Sequence, residues 1–277
     1  PAPGKITETK EDPLFGATIL TLGNGIKVVL KHTDFKKDEI QMTATSPGGS
    51  TLFGNKDIDN LKVFNDVIGL GGLGNFSATD LSKMLAGKKV SCSTSLGMDS
   101  ENVNGSSTPA DLKTLFELIY LNFTAPRMDE EAYASFENRM KAQLKNLELN
   151  PMVAFSDSLT KAIYDNNPRA MRIDADDFKN ISYLRIMEMY KERFGDASGF
   201  VFTFVGNINI DNIRPLAEQY LATLPANGKI EQGNPKEVPP IRKGDYVNRF
   251  KRPMETPKAS VVNLYSGQMD YNLENIL

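Results

Sequence analysis

The residues of this 277-residue chain that could do chemistry are few: one histidine, one cysteine, three clustered aspartates, a glycine-rich loop and a knot of basic and aromatic side chains. His32 follows a strand-like run and precedes Thr33-Asp34. A Ser-His-Asp hydrolase would need it as the base, but the chain has no G-x-S-x-G elbow, so His32 reads as a surface histidine at a strand end. Cys92 shares one face of an alternating run with Val90, Thr94 and Leu96, which predicts a buried, unreactive thiol. One cysteine excludes an internal disulfide and a multi-cysteine zinc cluster.

Asp174, Asp176 and Asp177 suggest calcium, but an EF-hand loop counted from Asp174 needs glycine and glutamate where Lys179 and Arg185 stand. They read as a solvated acidic loop. Gly69-Leu-Gly71-Gly-Leu-Gly74 fits G-x-G-x-x-G. A dinucleotide site needs a strand before that motif and an acid about 20 residues on. Here a helical pattern precedes it and Val90–Thr94 follow at that distance, so a helix-ending loop is expected. Arg242, Lys243, Arg249, Lys251 and Arg252 lie among Tyr246 and Phe250, a mixture that can bind nucleic acid. The cluster straddles a linker and a strand-like run in a chain of net charge −3, so it reads as a solvated strand edge. Taken alone, the residues offer no catalytic set and no metal-ligand set, and substrate-binding residues stay unknown.

The elements that would position these groups are marked by period and punctuation. Residues 1–14 are polar and aperiodic and read as linker. Thr18–Leu22 and Ile26–Leu30 flank Gly23-Asn24-Gly25, a hairpin signal. Ile40, Met42 and Ala44 alternate in a further strand, which ends in Pro47-Gly48-Gly49-Ser50. A helix is expected over 57–68, a short one near 78–86, and strands near 88–96 and 101–107. Thr108, Pro109 and Asp111 mark a helix start, and Leu112, Leu115, Phe116, Ile119, Tyr120 and Phe123 are its stripe. Helices follow from Asp129, from Asn150-Pro151, from Ser182 to about Phe194, and over about 211–223. Phe200–Val205 reads as a central strand buried on both faces. Residues 226–245, rich in Gly and Pro, read as a linker. Tyr246–Phe250 and Ser260–Ser266 look like strands, and Asn272–Leu277 like a first helical turn. The pattern predicts an α+β fold, a mixed and mainly antiparallel sheet with helices on one face. Its main domain spans 15–225, followed after the linker by the opening strands of a second, truncated domain over 246–277. An unpaired Ser260–Ser266 edge would suit packing on the first domain or pairing with a second copy as a homodimer.

Composition excludes some partners. The weak net charge gives no long-range attraction to nucleic acid or anionic lipid. No apolar stretch approaches the roughly 18 residues of a spanning helix. No signal peptide is visible, and Pro1–Lys5 looks like linker cut from something longer.

Four stretches in order resemble a known family. Leu22–Leu30 looks like its first hairpin, and Pro126–Tyr133 leading into Phe136–Leu147 is similar to its long helix. Tyr190–Phe194 with Phe200–Asn207 resembles its late helix and strand, and Leu216–Pro225 the helix after that. The family is the pitrilysin/insulinase-type zinc metallopeptidases, the inverzincins, whose LuxS/mitochondrial-processing-peptidase-like halves close around a peptide. The resemblance implies zinc held in an N-terminal half by H-x-x-E-H and a downstream glutamate. The helix in that place here, about Asp57–Ile68, contains Asp59, Asn65 and Asp66 but no histidine. Glu137 lies on the helix that supplies the third ligand and reads as a surface glutamate. The resemblance therefore points to the C-terminal, non-catalytic half, as a truncated fragment. Zinc belongs to the parent protein's N-terminal half and no cofactor to this piece. The implied partners are that catalytic half, in the same or a partner chain, and a peptide substrate. The family's Arg and Tyr that contact substrate would follow Leu277. A periplasmic or cell-envelope location is expected for the parent. Two other readings stay open, a non-enzymatic assembly subunit and a free-standing peptide-binding module.

Overall fold

A computed structural model describes residues 1–267, 269, 272 and 274. They form two compact units, Pro1–Ala142 with Ile173–Val238 and Gln143–Arg172 with Pro239–Leu277.

The first unit is built on a seven-stranded sheet. Its strands are β1 (Ile6–Asp12), β2 (Ala17–Leu22), β3 (Lys27–His32), β4 (Ile40–Pro47), β5 (Val90–Leu96), β6 (Ser100–Ser107) and β7 (Val201–Gly206). The order is β1-β2-β3-β7-β4-β6-β5, antiparallel throughout except for the parallel pair β3–β7. The helices are α1 (Ile58–Val67), α2 (Ala78–Met84), α3 (Leu112–Thr124), α4 (Glu130–Glu148), α5 (Pro151–Tyr164), α6 (Tyr183–Phe194) and α7 (Ile210–Leu216). None in the described residues is long and apolar enough to cross a membrane.

The expected α+β class and one-sided helix layer are present. Strand β4 buries Ile40, Met42, Ala44 and Ser46 and exposes Gln41, Thr43 and Thr45, the alternation of a sheet covered on one side. Against the covered face, Phe116 of α3 stacks on Phe204 of β7, with ring centroids 4.9 Å apart. Phe123 meets Phe194, Phe200 and Phe202. Burying such rings is the main stabilising term of this core, roughly 2–3 kcal/mol for each apolar side chain. The Gly23-Asn24-Gly25 hairpin forms as expected. Gly25 adopts φ 86°, and Asn24 donates to the carbonyls of Leu221 and Leu224 at 2.9 and 3.1 Å.

Several expectations are corrected. Residues 1–14 are not all linker, because Ile6–Asp12 is edge strand β1, paired with β2 from Ile6↔Leu22 to Asp12↔Ala17. Its side chains are nearly all polar, so no alternation marks it; the backbone ladder holds it, with side-chain bonds such as Thr18 Oγ1 to Glu11 at 3.0 Å and the Ile6 amide to Glu218 at 3.1 Å. Strand β7 is central but is buried on one face only, with Val201 and Val205 exposed, because helices cover one side of the sheet. Helix α3 starts at Leu112 rather than Pro109. Thr108 and Asp111 do exchange hydrogen bonds, each at 3.2 Å, but Asp111 also accepts the Lys89 amide at 2.9 Å, which holds a turn ahead of the helix. The last helix changes pitch at Ala217 into a π-helical turn, with the Ala222 amide donating to Ala217 O. Pro215 just before it has no N–H to give to an α-helical ladder.

In the second unit, Asn150 caps α5 by accepting the Met152 amide at 2.9 Å, and Pro151 takes the first helical position. Residues 239–252 run back along α5. Asn248 donates to Ser158 Oγ at 2.7 Å, Phe250 meets Phe155, and Arg252 donates to Glu148 O at 2.7 Å. The strands expected at Tyr246–Phe250 and Ser260–Ser266 do not form in the described residues. A strand exists only with a hydrogen-bonding neighbour, and these runs have none among the described residues. The helical turn expected at Asn272–Leu277 falls outside the described residues apart from Asn272 and Glu274.

Candidate functional site

Helix α1 is the element in which the resemblance would place a metal-binding motif, and its polar side chains from Asp57 to Asn65 are held by protein partners. Asp57 precedes the helix and is 3% exposed. Arg185 of α6 grips it with two parallel hydrogen bonds of 3.0 Å, Nε to Oδ1 and Nη2 to Oδ2. The guanidinium holds the Asp57 carboxyl below its ordinary range, against the opposing effect of burial. Arg185 is shifted upward in turn by Asp57 and Glu192. Asn60, also buried, accepts the Ser182 amide at 2.9 Å, tying α1 to the start of α6.

One turn on, Lys62 lies 3.1 Å from Asp59 and 3.9 Å from Asp177. Asn180 donates to the other Asp59 oxygen at 2.9 Å. Asn65 bonds both backbone groups of Leu96, accepting at 2.8 Å and donating at 3.1 Å. Each of these contacts is structural: α1 is fastened to α6, to the turn at Asp176–Asn180 and to the end of β5. The donor set does not fit a catalytic zinc. The helix presents no imidazole, and the carboxylates of Asp57 and Asp59 are already matched by Arg185 and Lys62. Among the described residues no three His, Cys, Asp or Glu side chains converge to hold a metal. No reaction step is derived through one.

The other singled-out residues lie apart from α1 or serve as its supports. Glu137 on α4 pairs with Lys141, whose ammonium sits 5.7 Å from the Phe178 ring. Asp174 and Asp177 accept backbone amides of their own turn at 2.9–3.1 Å, including that of Asp176, which is local capping. His32 is at the end of β3 and donates Nδ1–H to Ile208 O at 2.9 Å. Cys92 lies beside Asn122, whose amide points at Sγ from 3.7 Å. Burial pushes its thiol up to about 12.

The glycine-rich loop is a packing device. A Cβ on Gly71 would fall 1.9 Å from Arg127 O, and Gly72 has φ 84°. The basic cluster is not a strand edge. Arg242 closes the C-terminal end of α5: its amide donates to Ile163 O at 2.7 Å, its Nε to Ala162 O at 2.9 Å, and its guanidinium pairs with Asp165 while lying 4.0 Å over the Tyr246 ring. A cation there also meets the negative end of the helix dipole.

Sequence reading missed a second polar cluster. Glu101 on β6 is 2% exposed, accepts the Gly49 amide at 2.8 Å and lies 3.6 Å from Arg193. Burial raises its pKa, opposed by Gly49 and Arg193. Arg193 pairs on its other side with Glu231. With Ser46, Phe53, Asp196 and Lys229 these residues wall a cleft at the end of β4. Its members are scattered from position 46 to 231, so no local spacing announces it.

Residues 180–275 match the family model described as Peptidase M16 inactive domain. The chain is 27% identical over 226 residues to the "Zinc protease PQQL-like" of Arabidopsis thaliana, an alignment covering 81% of this chain and 21% of that protein. It thus spans about a fifth of the length of that relative. Among solved structures, the periplasmic protease PqqL from Escherichia coli matches with a TM-score of 0.72 at 20% identity, over 85% of this chain and 26% of that one. A peptidase M16 inactive domain from Pseudomonas fluorescens matches with a TM-score of 0.59 at 20% identity, over 79% and 54%. At such identities the structures speak to the fold. Residues 180–275 are thus similar to the M16 inactive domain, most of the chain is similar in sequence to a protein described as a zinc protease, and the fold is that of the PqqL and M16 inactive-domain structures.

Proposed function

We propose that the chain serves as the non-catalytic half, or the main part of it, of a zinc-dependent endopeptidase. In this role it forms one wall of a substrate chamber and docks on the metal-bearing half. The observation that carries the reading is helix α1. It occupies the place of the metal-binding helix in the resemblance, yet its polar side chains from Asp57 to Asn65 are committed to holding the domain together. The match to the inactive-domain model and the zinc-protease relative support the same assignment. By analogy with the periplasmic relative, the parent protein works in the periplasm or cell envelope.

The test is reconstitution. The chain is mixed with a separately made metal-bearing half of its parent protein and with unfolded peptides. Alone, it should cleave no peptide and retain no stoichiometric zinc by elemental analysis. Together with the metal-bearing half it should form a complex and support peptide cleavage. Zinc held at one equivalent by this chain, or cleavage by it alone, would overturn the proposal. A metal-bearing half that is fully active without it would do the same.

A further inference from the structure

Residues 226–238 have the composition of a flexible tether, and a free chain of that length would spread over roughly 20 Å. The structure holds it down every few residues. Just before it, Pro225 O accepts the Ala197 amide at 2.8 Å. The Asn227 amide donates to Asp196 Oδ1 at 3.3 Å and the Gly228 amide to Ser198 Oγ at 2.7 Å. Glu231 pairs with Arg193 and, at 3.1 Å, with Lys229. The Asn234 amide donates to Thr51 Oγ1 at 3.0 Å. Gly233 lies so close to the β4 loop that a Cβ there would come within 2.9 Å of Gly48 O and Thr51 Oγ1. Asn234 then caps a short turn, Pro235–Glu237.

Arg193 is the centre of this arrangement. Its side chain is 12% exposed and bridges Glu231 on the segment and the buried Glu101 beneath it. Glu101 in turn accepts the amide of Gly49 in the loop that Gly233 covers. A charge-assisted pair at a mostly buried site is worth more than a surface one.

We propose that residues 226–238 are a latched strap, a fixed extension of the first unit with Arg193 as its positioning residue, rather than a free linker. Among its pins are backbone amides and the Arg193–Glu231 ion pair, and most side chains along it are small or polar, Ile230 and Val238 being the large apolar ones, both exposed.

Hydrogen–deuterium exchange on the full chain reads this directly. In the wild type, the amides of Asn227, Gly228 and Asn234 should exchange at least about tenfold slower than free-peptide rates. Glu231→Gln, which keeps Arg193 paired with Glu101, should speed exchange over 227–231 by about tenfold and leave α3 unchanged. Thr51→Val should release the Asn234 amide alone. Free-peptide rates across 227–234 in the wild type would overturn the proposal. So would unchanged protection there in Glu231→Gln and Thr51→Val, both checked to melt as the wild type does.

Discussion

Asp57 and Arg185 stand 128 positions apart, and their bidentate pair fastens α1 to α6. Because Asp57 is nearly buried, Arg185→Met leaves a carboxylate without its counter-charge and should destabilise the chain by about 3 kcal/mol in urea denaturation at pH 7. The pair also sets an acid limit. Arg185 depresses the folded-state pKa of Asp57, so its stabilisation is fully present above the unfolded value of about 4. It is lost as pH falls through the lower folded value. Stability measured from pH 5 downward should fall less steeply in Arg185→Met, and an unchanged acid slope would refute the assignment. Cys92 gives a second residue-level prediction. A thiol pushed up to about 12 stays protonated at pH 7.5. Intact-mass analysis should therefore show little alkylation by iodoacetamide in the native chain and complete alkylation in urea. Equal rates in the two states would show the thiol to be exposed and reactive.

At the level of elements, the glycine-rich loop separates packing from ligand binding. Gly71→Ala puts a methyl into the Arg127 carbonyl and should cost several kcal/mol, about 3 by the scale of overpacking and backbone strain. Gly69 has nothing within 4 Å of such a methyl, so Gly69→Ala should change the melting temperature by no more than a few degrees. If both were equally tolerated, the close approach at Gly71 would be wrong. Elements with one wet and one dry face were legible in the sequence. Ile40, Met42 and Ala44 gave β4 its register, and Leu112 to Phe123 gave α3 its stripe, because burial on one side imposes a period. Strand β1 was not legible, since an edge strand with solvent on both faces imposes none. The double burial expected of β7 failed for a related reason. An apolar run such as Phe200–Val205 reports a central place in the sheet, but not whether a second helix layer covers it. The candidate site divides in the same way. The absence of histidine from α1 was readable from composition. The ion pairs that hold this helix, Lys62 with Asp59 and Asp177, and Arg185 with Asp57, were not, because three-dimensional pairing has no local spacing.

At the scale of the whole molecule, two units of unequal construction share one chain. The first has a sheet and a layer of stacked aromatic rings. In the second, helix α5 buries no side chain fully, and the chain beyond it is open, with Val261 83% and Tyr265 91% exposed. Apolar residues in that state have not been removed from water, and so contribute little to holding their segment in place. Arg242 attaches the chain to the end of α5 and Arg252 to the last residue of α4, whereas residues 258–266 form no regular secondary structure. Local opening should therefore cost almost nothing near Lys258, somewhat more near Arg252, and close to the full unfolding free energy in the first unit. Where opening and closing are fast, proteolysis follows that order. Brief trypsin treatment should cut after Lys258 first and after Lys251 next, the Arg252-Pro253 bond being resistant. The remaining large fragment should keep the first unit's melting transition unchanged. If Lys258 survived as long as sites within α3 or α6, the segment would have to be far better held than its exposure implies. If the early cut instead abolished the first unit's transition, the two units would not be independently stable.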